Sequence, residues 1–171
     1  EAGQLEFIRH EQNIGMSANF MRTFELCKTE WLWVVSDDDE IHDGAIKNIL
    51  DNMNKVAKQK NVAFIKFSAK VCFVTEENKY LNDLNELIEV ITTSDNYFNS
   101  YIFLTNGLYR MPYFKSEVET GYQYCNTYVP HLMMVISCMA KLNIGAKIYC
   151  SPNQVVTYTV PKMGYSYGLL A

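Results

Sequence analysis

Apolar positions along the chain fall into short strand-like runs and longer helix-like stripes. Leu5-Glu6-Phe7-Ile8-Arg9 has the pattern of a short strand, and the polar stretch after it closes in Asn13-Ile14-Gly15, a turn signal. Ser17 is a helix-capping residue type, and Phe20, Met21, Phe24 and Cys27 then fall on one helical face, predicting a helix to about residue 28. Trp31-Leu32-Trp33-Val34-Val35 is continuously apolar and rich in aromatic and β-branched residues, the signature of a strand covered on both faces. It runs into Ser36-Asp37-Asp38-Asp39-Glu40.

Asp43 can cap a second helix, whose stripe is Ile46, Ile49, Leu50, Met53, Val56 and Ala57, with Lys55, Lys58 and Lys60 at its C-terminal end to complement the dipole. Strands are predicted at 62–67 and 70–75, and a helix from Leu81, Leu84, Leu87, Ile88 and Ile91. Residues 101–109 read as a strand with a turn at Asn106-Gly107, and 111–127 as irregular. Pro130 opens a helix to about residue 143, apolar nearly all round, that Gly145 ends. Strands at 146–150 and 155–160 follow, then a tail. Strand–helix alternation in the first half, with a more mixed second half, predicts an α/β fold around a mostly parallel sheet.

Composition narrows the class. A length of 171 residues with 49% hydrophobic residues fits one globular domain and excludes a disordered chain. Fifteen basic against 19 acidic residues leave no excess to neutralise a phosphate backbone, so nucleic acid is not the expected partner. The five cysteines, Cys27, Cys72, Cys125, Cys138 and Cys150, are odd in number and show no C-x-x-C spacing, which reads as reduced thiols in a cytoplasmic protein. No apolar run approaches the roughly 20 residues of a membrane span. No Ser/His/Asp or Cys/His triad, phosphate-binding loop or dinucleotide fingerprint is present.

The chemistry therefore concentrates on the acidic cluster. In open α/β sheets ligands bind beyond the carboxyl ends of strands, and Asp37, Asp38 and Asp39 stand at such an end. Their mutual repulsion would be relieved by Mg²⁺ or Mn²⁺, which prefer oxygen ligands. Strand alternation would aim Asp37 and Asp39 one way and Asp38 the other. A solvated acidic loop that merely precedes a helix is the plain alternative.

Two resemblances follow from this placement. Val34-Val35-Ser36-Asp37-Asp38-Asp39-Glu40 is similar to the first strand and acidic pocket of response-regulator receiver domains. That fold also needs an acceptor Asp at a strand end some 40 residues later, where this chain has the helical pattern Lys-Tyr-Leu-Asn-Asp-Leu-Asn-Glu from 79 to 86; about 30 residues also precede the strand. The second resemblance accounts for those residues. Asn13-x-Gly15, Asn19, a helix, and then Glu30-Trp31-Leu32-Trp33-Val34-Val35-Ser36-Asp37-Asp38-Asp39 resemble the nucleotide-sugar-binding half of family-two glycosyltransferases, with 22 residues from Gly15 to Asp37.

The resemblance implies a GT-A-like three-layer α/β/α fold with a mixed, mostly parallel sheet. It implies metal-dependent sugar transfer, with inversion, from a nucleotide-diphosphate donor to a saccharide or lipid-linked hydroxyl acceptor. Asn13, Gly15, Asn19, Asp37 and Asp38 would line the nucleotide sugar, and Asp37, Asp39 or Asp38 would hold Mn²⁺ or Mg²⁺. Ser36 replaces the first family aspartate, so either Asp37 and Asp39 form the D-x-D pair or the frame shifts to Asp38. The family's acidic pair at the start of a late helix is absent; His131 stands in that place, and Glu117 and Glu119 in the preceding segment are rival bases. Tyr113, Tyr122, Tyr124 and Tyr128 suit a sugar face or a packed core equally.

By the same resemblance, residues 1–161 form one glycosyltransferase domain and 162–171 a tail. Family members open with a strand ending near Pro-Thr-Tyr-Asn and a helix, so roughly 30 further residues are expected ahead of Glu1. The implied setting is bacterial surface polysaccharide synthesis in the cytoplasm, with peripheral contact at the inner face of the membrane. A non-catalytic nucleotide-sugar- or carbohydrate-binding domain of the same fold is the alternative, favoured by the missing acidic pair.

Overall fold

A computed structural model of the chain describes residues 6–37, 39–69, 75–93, 101, 103–141 and 143–157. The elements are α1 (Met16–Leu26), β1 (Trp31–Trp33), β2 (Glu40–Ile41), α2 (Ala45–Val56), β3 (Val62–Phe67), β4 (Lys79–Leu81), α3 (Leu84–Thr93), β5 (Gly107–Arg110), α4 (Met111–Phe114), α5 (Val118–Gln123), α6 (Pro130–Ala140), β6 (Lys147–Ser151) and β7 (Val156–Thr157). Short 3₁₀ turns, Leu104–Asn106 and Lys115–Glu117, lead into β5 and α5.

The central sheet has the order β1-β5-β3-β6-β4, and β2 pairs with β7 in a separate ribbon. β3 and β6 are parallel, whereas β5 is antiparallel to both β1 and β3, and β4 is antiparallel to β6. Three of the five strands, β1, β3 and β6, therefore run in one direction. The class is α/β with a mixed sheet.

Alternation along β3 builds the three layers. Phe64 faces a cluster with Met21, Phe24, Tyr109, Leu132 and Ile148, which packs α1 and α6 on that side. Ile65 and Phe67 face Ala45, Ile49 and Val56 of α2 on the other. β3 is buried along its whole length, so the sheet's hydrophobic centre lies there. Gly107 in β5 lets Phe64 close over the strand: a Cβ at this position would stand 2.6 Å from the Phe64 ring.

Several sequence expectations are corrected. The strand at 31–35 is only Trp31–Trp33, and its residues are half-buried rather than covered, because β1 lies at the sheet's edge. Residues 6–10 form no strand, and Phe7 is 84% exposed, having no neighbouring strand among the described residues. Ser17 does not cap α1; Gly15, at φ 81°, takes the cap position, and the Ser17 hydroxyl donates to the Thr127 carbonyl at 3.0 Å. Gly44, left-handed at φ 77°, displaces Asp43 at the start of α2. Leu81 belongs to β4 rather than to the helix, which is Leu84–Thr93. The stretch 111–127, read as irregular, is largely helical, with Pro112 in the first turn of α4. The strand read at 70–75 and the tail at 162–171 fall outside the described residues, apart from Thr75.

Candidate functional site

Strand directions bring the acidic segment and the turn before β5 to one end of the sheet. β1 ends at Trp33 and leads to Asp37 and Asp39, while antiparallel β5 begins at the same end, preceded by Thr105 and Asn106. Helix α1 turns back along β1. Its last carbonyls, of Phe24 and Glu25, accept from Lys115 Nζ at 2.9 Å each, near where β5 exits, so its N-terminus points to the acidic end. α6 begins at that end too: the segment before it is tied to α1 through Ser17 and Thr127, and His131 meets Phe20 edge-on at 5.7 Å.

Asn13, Gly15 and Asn19 meet at the start of α1. The Asn13 carboxamide oxygen accepts from the Gly15 amide at 2.9 Å, and the Asn19 amide donates to the Gly15 carbonyl at 3.0 Å. All three are exposed and line a cavity of about 580 Å³ together with Arg9 and His10. A second cleft, of about 280 Å³, lies between this helix start and residues 125–128. No side chain caps α1, so its first-turn amides face outward with their positive dipole end.

Asp37 is exposed and Asp39 half-buried. The Asp39 amide donates to the Ser36 carbonyl at 3.4 Å, closing a turn, and the Asp39 carboxylate accepts from the buried Thr105 hydroxyl. Asp38 lies outside the described residues. Among the described residues no three His, Cys, Asp or Glu side chains gather as a metal cluster. Mg²⁺ and Mn²⁺ sites on phosphate substrates commonly use one or two carboxylates, with substrate oxygens filling the remaining positions. Two carboxylates on one exposed turn fit that donor set.

The candidate bases separate. Glu117 is buried at the opposite end of the sheet, past the exit of β5. It accepts from Ser137 at 2.6 Å and Ser116 at 3.0 Å and forms an ion pair with Lys141 at the far end of α6. Burial pushes this carboxyl up, but the bonds from Lys141, Ser137 and Ser116 outweigh it and hold it below its ordinary range. Glu119 is exposed in the first turn of α5. His131, 3% exposed, is the one of the three at the acidic end. The tyrosines separate as well: Tyr113 donates to the Lys60 carbonyl near Arg110, and Tyr122 bonds Glu25 near the end of α1. Only Tyr128 borders the second cleft. Burial pushes the Cys138 thiol up to about 12 and Cys150 to about 11, which disfavours thiolate chemistry at these two residues.

The model of the family described as glycosyl transferase family 2 matches residues 1–103, more than half of the chain. The chain belongs to glycosyltransferase family 2. The family-two match takes in Asn13, Gly15, Asn19 and the acidic turn, and it ends before Thr105, Glu117 and His131. Family-two glycosyltransferases take a nucleotide-sugar donor and an acceptor. No curated protein and no solved structure matches the chain. No helix among the described residues is long and apolar enough to cross a membrane.

Two further polar residues, not singled out by the sequence alone, lie buried toward this end of the sheet. Thr105 is one; its carbonyl accepts from the Trp33 indole at 2.8 Å. Lys66, near the end of β3, is another: it is 1% exposed, and its ammonium stands 5.2 Å over the Tyr101 ring. The sequence signal for both is a polar residue inside an apolar strand pattern.

Proposed function

We propose that this domain transfers a sugar from a nucleotide diphosphate to a hydroxyl of a saccharide or lipid-linked acceptor, with inversion and with help from Mn²⁺ or Mg²⁺. The observation that carries the proposal is the Asp39 carboxylate held by Thr105 beyond the end of β1, with Asn13, Gly15 and Asn19 lining a cavity at the start of α1; all of these but Thr105 fall inside the family-matched residues. In this reading Asn13 and Asn19 bind the nucleotide and Asp37 and Asp39 hold the metal, with Asp38 as the alternative ligand. The metal, when bound, offsets the negative charge that builds on the departing diphosphate. The uncapped start of α1 adds positive potential on the same side.

His131 is the proposed base that takes the acceptor's proton, because it lies at the acidic end whereas Glu117 is committed to Lys141. Replacing His131 with alanine is expected to slow transfer roughly 100-fold or more while donor affinity stays within a few-fold. Transfer at the wild-type rate would remove His131 from that role. The proposed setting is the cytoplasmic side of bacterial polysaccharide synthesis, with the domain spanning 1–161.

Thermal unfolding with UDP or GDP, with and without Mn²⁺, tests the donor site. A Tm rise that needs both metal and nucleotide is expected, since a ligand bound only to the native state stabilises it. No rise with either nucleotide would refute the donor reading. The burial of His131 favours one other outcome, binding without transfer, which would mark a non-catalytic nucleotide-sugar-binding domain.

A further inference from the structure

We propose that Thr105 is a positioning residue for the donor site, its hydroxyl fixing the orientation of the Asp39 carboxylate. This rests on the donor-site reading above. Thr105 lies 66 positions from Asp39 in sequence and outside the family-matched residues. Its hydroxyl donates to Asp39 Oδ2 from a side chain that is almost wholly buried. Such a charge-assisted bond is stronger than one between neutral groups.

The backbone that delivers this hydroxyl is fixed on two sides. The Trp33 indole holds the Thr105 carbonyl at 2.8 Å, and Trp33 belongs to the strand that leads to Asp37 and Asp39. Two residues on, Gly107 enters the ladder opposite Lys66 of the fully buried β3. Thr105 itself lies in the short 3₁₀ turn that leads directly into β5. The hydroxyl is therefore held by the rigid centre of the sheet, whereas Asp39 sits on an irregular segment.

The next residue supplies a second, independent observation. Asn106 is fully buried, and neither polar atom of its carboxamide has a hydrogen-bond partner among the described residues. An unpaired buried amide costs stability. Two consecutive buried polar side chains occupy a turn where apolar residues would pack at lower cost. Local conflicts of this kind are expected at functional sites.

A carboxylate oriented by an outer bond binds a cation with less reorganisation, and loss of such outer partners commonly weakens metal affinity or activity about 10–100-fold. Thr105→Val keeps the shape and removes the hydroxyl; Thr105→Ser keeps the hydroxyl and removes the methyl. Calorimetric titration of UDP or GDP into each protein with Mn²⁺ reads the effect without any need for turnover. The valine variant is expected to bind about 10–100-fold more weakly, and the serine variant within about 3-fold of wild type.

A packing role predicts the reverse order and a change in ligand-free Tm. Wild-type binding together with valine binding within about 3-fold of it, or serine binding as weak as valine, would overturn the role of Thr105 alone. Absence of wild-type binding would overturn the donor reading and this inference with it. If the valine variant does not fold, Thr105→Ala against Thr105→Ser carries the same comparison.

Discussion

Replacing Asp39 with alanine is expected to weaken Mn²⁺-dependent nucleotide-diphosphate binding by about 100-fold or more, and to slow sugar transfer at least as much. A 100-fold loss corresponds to about 2.7 kcal/mol, a modest figure for a carboxylate facing a divalent ion. Asp39 is the member of the acidic turn that the rest of the protein holds: its amide closes the turn on Ser36, and its carboxylate takes the Thr105 hydroxyl. Asp37 is exposed on the same turn, so Asp37→Ala is expected to have the smaller effect. Asp39→Asn separates charge from orientation, because an amide oxygen can still accept from Thr105. If the charge matters, the asparagine and alanine variants fail alike. Metal-dependent Tm shifts and calorimetric affinities for UDP or GDP read the result directly. Binding by Asp39→Ala within about 3-fold of wild type would remove Asp39 from the donor site.

The family and the candidate site were both named from order and spacing along the chain, because the parts that carry the resemblance are local. Asn13, Gly15 and Asn19 share one turn and the start of one helix, and the acidic cluster follows its strand directly. The central strand β3 was equally legible, since a short run that is apolar but for Lys66 reflects burial on both faces. What depended on distant partners was not. Ser17 and Asp43 have the chemistry of caps, but the glycines at 15 and 44 have the required backbone freedom, and Ser17 finds Thr127 110 positions away. β1 looked like a covered strand because apolar content does not reveal whether a strand lies at an edge. α4 and α5 are too short for a periodic signal and are held by α6 and α1. Thr105 bonds across 66 positions, and no periodicity encodes that.

The largest expected stability effect lies at the other end of the sheet. Lys141→Met leaves the Glu117 carboxylate, whose side chain is 1% exposed, without its cation. Removing one partner of a buried pair commonly costs 3–5 kcal/mol. Lys141 is itself 38% exposed, and Ser116 and Ser137 still donate to the carboxylate, so about 2–3 kcal/mol is expected at neutral pH. For a domain of this size that is a Tm loss of roughly 5–10 °C. The effect has a definite pH sign. In the wild type Glu117 titrates below its ordinary range, so its stabilisation is present above the unfolded carboxylate pKa and fades as pH falls through the folded one. In the variant, burial acts without the lysine and favours the protonated acid. The penalty therefore grows as pH rises past the ordinary carboxylate range and nearly vanishes in acid. Thermal unfolding of both proteins at pH 4 and pH 7 checks this, and an equal Tm difference at the two values would contradict it. Lys141 lies ten residues beyond His131, about 15 Å along α6. Nucleotide-diphosphate affinity below the Tm is thus expected to stay within a few-fold, which separates this ion pair, as a brace between α5 and α6, from the donor end of the sheet.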